Sequence, residues 1–307
     1  MSHTHTSSCG CRWGKKGVAA FGNAPAAVLP AFVLISVIGA LSAYGFALIG
    51  RVCAYTGATS YREAWSRSMG DKTSWIPAWS ATLMTFGACL AYSMVLADTF
   101  AALLGTNRHP TLVAVTTAVL LPLCLLKNLK SLAPFSLLGV MGMAYTAIAM
   151  AIRFLDGSYA MPNGPLAQSV AENLQPLFGD RGLSSVFSAD SLILVCMLST
   201  AYMAHFNAPK FYLELQNNTL SRYNQVVSWS FGISILLTAL MTLLGFLTFG
   251  QSCAGLVLNN YSTNDLWMSG SRIAVAVSLV FSCVSLVSFF VAHLSLVPNL
   301  LFCVCVF

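Results

Sequence analysis

Apolar runs long enough to cross a bilayer recur along this chain from residue 17 to its last residue, separated by short polar links. The hydrocarbon core of a membrane requires roughly 20 helical residues. Runs of that order cover residues 28–50, 76–104, 111–126, 132–154, 191–212, 226–249 and 273–307. Hydrophobic residues make up 57% of the chain and charged residues 8%, whereas a soluble domain carries about 25% charged residues. With a mean hydropathy of +0.75, no water-facing surface can be built, so the lipid bilayer is the solvent. Continuous apolar runs rich in Leu, Ala, Val, Phe and Gly indicate helices, not the short alternating strands of a barrel. The expected fold is therefore an all-α integral membrane protein with about seven full spans.

A shorter apolar stretch from Gly17, punctuated by Gly22, Asn23 and Pro25, reads as a half-helix ahead of the first full span. Residues 1–16 form a polar leader, expected to be disordered and lacking the apolar core of a cleavable signal peptide. Its His3, His5, Cys9 and Cys11 are metal-ligating types, but their spacing matches no zinc module. Residues 17–307 read as one transmembrane domain without a tandem repeat or low-complexity linker. The longest aqueous segment, 156–187, carries Asp156, Glu172 and Asp180.

The 15 basic residues stand singly between spans, which argues for topology and against nucleic acid. Alternating the links places the amino terminus, Arg51, Arg62, Arg67, Lys72, Lys127, Lys130, Lys210 and Arg222 on one side, expected to be cytoplasmic. The opposite side holds Arg108, Arg153, Arg181, Arg272 and the sequon Asn260-Tyr261-Ser262, a glycosylation acceptor by pattern. Cys89, Cys124, Cys196 and Cys283 lie inside spans, where thiols behave as small hydrophobes, so no disulfide framework is expected. The chain has no zinc-hydrolase helix, nucleophile elbow or phosphate loop, which argues against a membrane enzyme.

Four stretches share a pattern with a known family. The segment 205–223, HFNAPKFYLELQNNTLSRY, resembles the motif closing the sixth helix of the amino acid/auxin permease family, which includes sodium-coupled neutral and vacuolar amino-acid transporters. CLAYSMVLADTF at 89–100, KNLKSLAPFSLLGV at 127–140 and YREAWSRSMG at 61–70 resemble its third helix, the start of its fifth and the link after its second. The resemblance implies two inverted five-helix repeats, about eleven helices, with substrate and coupling ion near the midplane beside interrupted helices. It also implies that this chain lacks the start of helix one, and that residues 283–307 depart from the family before its last three helices.

Site expectations follow. His205, Asn207 and Pro209 fall within one turn, and Pro removes a backbone donor, so the sixth helix is expected to be interrupted and to offer free backbone groups to a ligand. Ser199, Thr200, Tyr202, His205 and Asn207 are then substrate-binding candidates, against the plainer reading of a helix that ends at the interface. Tyr92 and Ser93 join them because the family turns that side of helix three toward substrate, although a Tyr in a helix usually packs. Asp98, an acid within a span, is an ion- or proton-coupling candidate. Ser278, Ser282 and Ser285 share a face on a helix that supplies sodium ligands in similar transporters, or they serve as packing contacts. Lys210 and Glu214, four apart, form a gating or an ordinary interfacial pair. The implied function is secondary active transport of amino acids by alternating access, driven by Na+ or H+ with no other cofactor. The alternative is a truncated, non-transporting membrane protein or amino-acid sensor. Substrate identity, coupling ion, oligomeric state and the choice of plasma or vacuolar/lysosomal membrane are not legible in the letters.

Overall fold

The computed structural model describes residues 24–120, 122, 133–161, 164–178 and 189–294. Among them the fold is helical: α1 Ala24–Thr56, α2 Tyr61–Met69, α3 Trp75–Leu104, α4 Arg108–Val115, α5 Ala133–Leu155, α6 Ala189–Ala201, α7 Ala208–Glu214, α8 Leu220–Phe249 and α9 Leu266–Leu294. The leader and its His and Cys residues, the half-helix up to Asn23, Cys124, the Lys127/Lys130 boundary, Asp180, Arg181 and residues 295–307 lie outside the described residues. So do the side chains of Ser285 and His293.

Among the described residues, five helical segments are long and apolar enough to cross a membrane: Leu29–Thr56, Asp71–Leu104, Leu137–Leu155, Leu220–Phe249 and Leu266–Val284. The described parts of the other two expected spans are shorter. The run from 111 begins as the eight-residue α4 and continues as a five-residue π-type turn, Thr116–Leu120. The run from 191 is the 13-residue α6, a break, and the seven-residue α7.

Three boundaries differ from the sequence reading. α1 runs past Arg51 to Thr56 and stops at Gly57, whose φ of +67° ends the helix as its N–H bonds Cys53 O at 2.8 Å. One arginine at the water interface does not break a helix. α8 starts at Leu220, because Arg222 and Gln225 are exposed in its opening turns, where polar side chains are tolerated. α9 starts at Leu266 because Asp265 caps it, its Oδ1 accepting from Trp267 N at 3.1 Å and Met268 N at 3.5 Å.

The described residues fall into two compact units, one drawn from Met1–Ser42, Ala147–Met203 and Phe231–Met268, the other from Ala43–Thr146, Ala204–Ser230 and Ser269–Phe307. Within the second unit, helices approach through small residues, as expected where lipid gives no hydrophobic drive to association. A Cβ at Gly50 would lie 2.1 Å from a ring carbon of Tyr223 on α8, and one at Gly139 2.6 Å from the Ser278 hydroxyl on α9. An apolar core there gathers Leu96, Leu120, Ala276, Val280 and Cys283. In the first unit Ala31 packs with Leu34 and Leu194.

Candidate functional site

The sixth-helix region is broken where the sequence placed the break. α6 ends at Ala201, residues 202–204 leave the helix, His205–Asn207 make a 3-10 turn, and α7 resumes with Pro209 in its first turn. Pro is tolerated there because that N–H would be unpaired in any case. Leu198 O is the last carbonyl here to keep its i+4 donor, Tyr202 N at 3.0 Å, and Thr200 O accepts instead an i+3 bond from Met203 N at 3.2 Å.

In the first unit, Ser199 is half-buried and Thr200 exposed, its hydroxyl turned back to Cys196 O at 2.9 Å. Tyr202 is buried at 6% exposure. Its ring faces Gly39 of α1, where a Cβ would stand 3.4 Å from the ring carbon bearing the hydroxyl. That hydroxyl makes no hydrogen bond of good geometry among the described residues, and Thr238 of α8 stands beside it, close enough to bond it after a small shift. A buried, unsatisfied hydroxyl costs free energy unless something completes it.

In the second unit, His205 lies over Gly45, with Nε2 2.8 Å from where a Cβ would sit, and meets Phe46 edge-on at 6.3 Å. Phe46 also contacts Phe211 at 6.2 Å and stacks on Tyr223 at 6.0 Å. Half-buried Asn207 precedes α7 without a side-chain capping bond. Lys210 and Glu214 form no ion pair within 4 Å.

The remaining candidates of this unit are used locally. Tyr92 packs against the core of Leu96, Leu120, Ala276, Val280 and Cys283. Ser93 bonds back to Leu90 O at 2.8 Å. Asp98 is paired with Arg108 Nε at 2.8 Å, tying the end of α3 to the start of α4, with both side chains about a third exposed. Ser278 faces Gly139, and Ser282, one turn along the same face, is half-buried.

A buried polar cluster in the first unit was not legible as a cluster in the sequence. Arg153 at the end of α5 forks onto Asp265, Nε to Oδ2 at 2.8 Å and Nη2 to Oδ1 at 2.7 Å. Tyr159 donates to Asp265 Oδ2 at 3.0 Å and accepts from Ser262 N at 3.1 Å. Burial opposes ionisation of Asp265, but the Arg153 and Tyr159 bonds, the Arg153 charge and the Met268 N–H together hold the carboxyl below its ordinary range. Burial pushes the Tyr159 phenol up. Asp265 stands directly before a long run free of acids, and the capping rule was the signal that would have singled it out.

Asn260 corrects the glycosylation reading. It has no exposed surface, its amide donates to Leu174 O at 3.1 Å and Ser252 O at 2.8 Å, and its oxygen accepts from Ala254 N at 2.7 Å. The sequon therefore serves as an internal brace, and no glycan fits at its nitrogen.

Residues 20–302 match a family described as transmembrane amino acid transporter protein. The chain belongs to that family. Membership of the amino acid transporter family makes it a multi-pass membrane protein and not an enzyme. It is 27% identical to vacuolar amino acid transporter 7 of Saccharomyces cerevisiae over 64% of this chain and 38% of that protein. It is 23% identical to vacuolar amino acid transporter 2 of the same yeast, over 73% of this chain and 46% of that protein. It is 26% identical to solute carrier family 38 member 8 of Homo sapiens, over 82% of this chain and 58% of that protein. The chain thus spans about half the length of these relatives. No solved structure matches it.

Proposed function

We propose that this chain carries amino acids across a membrane by alternating access, with the broken helix α6–α7 at the substrate. The observation that carries the reading is the Tyr202 hydroxyl, buried at the break beside Thr238 with no hydrogen bond of good geometry among the described residues. A zwitterion requires donors for its carboxylate and acceptors for its ammonium. A phenol and the freed carbonyls of a helix end are of those kinds. The names of the relatives support amino acids as the class. Ser199, Thr200, His205, Asn207, Tyr92 and Ser93 complete the proposed substrate set, and Asp98, Ser278 and Ser282 the coupling set for Na+ or H+. The distribution of basic residues supports a cytoplasmic amino terminus, and the family resemblance supports a bundle on an inverted-repeat plan.

The test is uptake of radiolabelled amino acids into proteoliposomes holding the full chain, with imposed sodium or proton gradients, beside equilibrium binding in detergent. Gradient-driven uptake that Tyr202→Phe weakens supports the proposal. Binding without flux identifies a sensor, and neither binding nor flux overturns both readings.

A further inference from the structure

Residues 156–161, 164–178 and 250–265, which lie between spans, share one interior in the first unit. Their backbones meet where Leu177 N donates to Phe249 O at 3.2 Å and Gln251 N to Leu177 O at 2.9 Å. Asn260 joins Leu174 to Ser252 and Ala254. Tyr159, Phe249 and Tyr261 close on one another edge-to-face at 4.9 to 5.6 Å. Residues 250–265 are therefore a folded strap and not a loose connection.

The strap is fastened to α5 by one carboxylate. Asp265 accepts from Arg153 Nε and Nη2, from Tyr159 and from the N–H groups of Trp267 and Met268. Its side chain is fully buried and that of Arg153 is 18% exposed. The other acid near Arg153, the exposed Asp156, stands 3.9 Å away. Loss of the Asp265 charge leaves a largely buried guanidinium without its forked partner and removes this tie between the strap and α5. Cys253 lies inside the strap, 5% exposed and against Gly245.

We propose that residues 250–265 form a latch, held shut by the Arg153–Asp265 pair, that opens as one unit and uncovers Cys253. The reading stands apart from the transport proposal, because it is read without a substrate.

The experiment is pulsed N-ethylmaleimide labelling of the full chain in nanodiscs, quantified by peptide mass spectrometry at Cys253 and Cys53 beside added glutathione. Glutathione marks the rate of a free thiol in water, and Cys53, buried in α1 in the other unit, reports global unfolding. Burial pushes the Cys253 thiol up to about 12, so a shut latch labels far more slowly than glutathione. Asp265→Asn is expected to raise Cys253 labelling by roughly tenfold or more relative to Cys53. Should Asp265→Asn not fold, Arg153→Lys, which keeps the charge but loses the fork, is expected to give a smaller rise of the same selectivity. Equal Cys253 rates in wild type and variants, or Cys253 rising in step with Cys53, overturns the latch. So does wild-type Cys253 labelling as fast as glutathione.

Discussion

Tyr223 of α8 donates its hydroxyl to the backbone carbonyl of Phe46 in α1 at 3.1 Å, and its ring fills the space where Gly50 carries no side chain. A carbonyl in mid-helix accepts a second bond through its free lone pair. The contact fixes the register of the two helices. At 2.1 Å from a ring carbon, any Cβ at Gly50 forces Tyr223 or the helix to move.

Gly50→Ala is therefore expected to destabilise the protein by about 1–3 kcal/mol or more, by overpacking. Tyr223→Phe keeps the ring and removes one hydrogen bond, about 0.5–1.5 kcal/mol. Thermal melts in detergent should show the larger drop for Gly50→Ala. Strong non-additivity in the double variant is expected, because the residues touch.

Removing the Asp265 carboxylate is expected to cost about 3–5 kcal/mol, as for one partner of a buried pair. The pH dependence has a defined sign. Because the folded carboxyl titrates below its ordinary range, its stabilisation is full above the unfolded value of about 3.9. It is lost as pH falls through the folded value. Melting wild type and Asp265→Asn across acid pH should show their difference shrinking toward zero below the carboxylate range.

Asn260 is expected to carry no glycan when the chain is made in a glycosylating cell, so glycosidase treatment should leave the mass of its peptide unchanged. Asn260→Ala leaves the Ala254 N–H and the carbonyls of Leu174 and Ser252 without their partner. A loss of about 1–3 kcal/mol per stranded group is expected in the melt.

Asp98 and Arg108 predict the opposite scale. Both are about a third exposed, so Arg108→Gln is expected to shift stability by less than about 1 kcal/mol. A pH-jump uptake assay separates roles: unchanged coupling in Asp98→Asn marks a surface pair, and loss of proton dependence marks a coupling acid.

Hydropathy made the membrane helices around residues 28–50, 76–104, 132–154, 226–249 and from 273 legible, because about 20 apolar residues in one run have few other stable environments. His205, Asn207 and Pro209 marked the break in the sixth-helix region, since Pro acts on its own backbone. Local rules also carried Asp265, had its capping position been weighed. What the letters did not carry is who meets whom. Arg153 and Asp265 are 112 residues apart, and Tyr223 and Phe46 177. Asn260 has the same sequon whether it faces water or braces two loops. Tyr92 reads alike as a ligand or as core until Leu120 and Cys283 are placed against it. The sequence alone determined the solvent, the helices and the break, because these follow from neighbours along the chain. Partners and burial, that of the Tyr202 hydroxyl included, were decided only by tertiary structure, because each depends on surfaces that the sequence order does not place together.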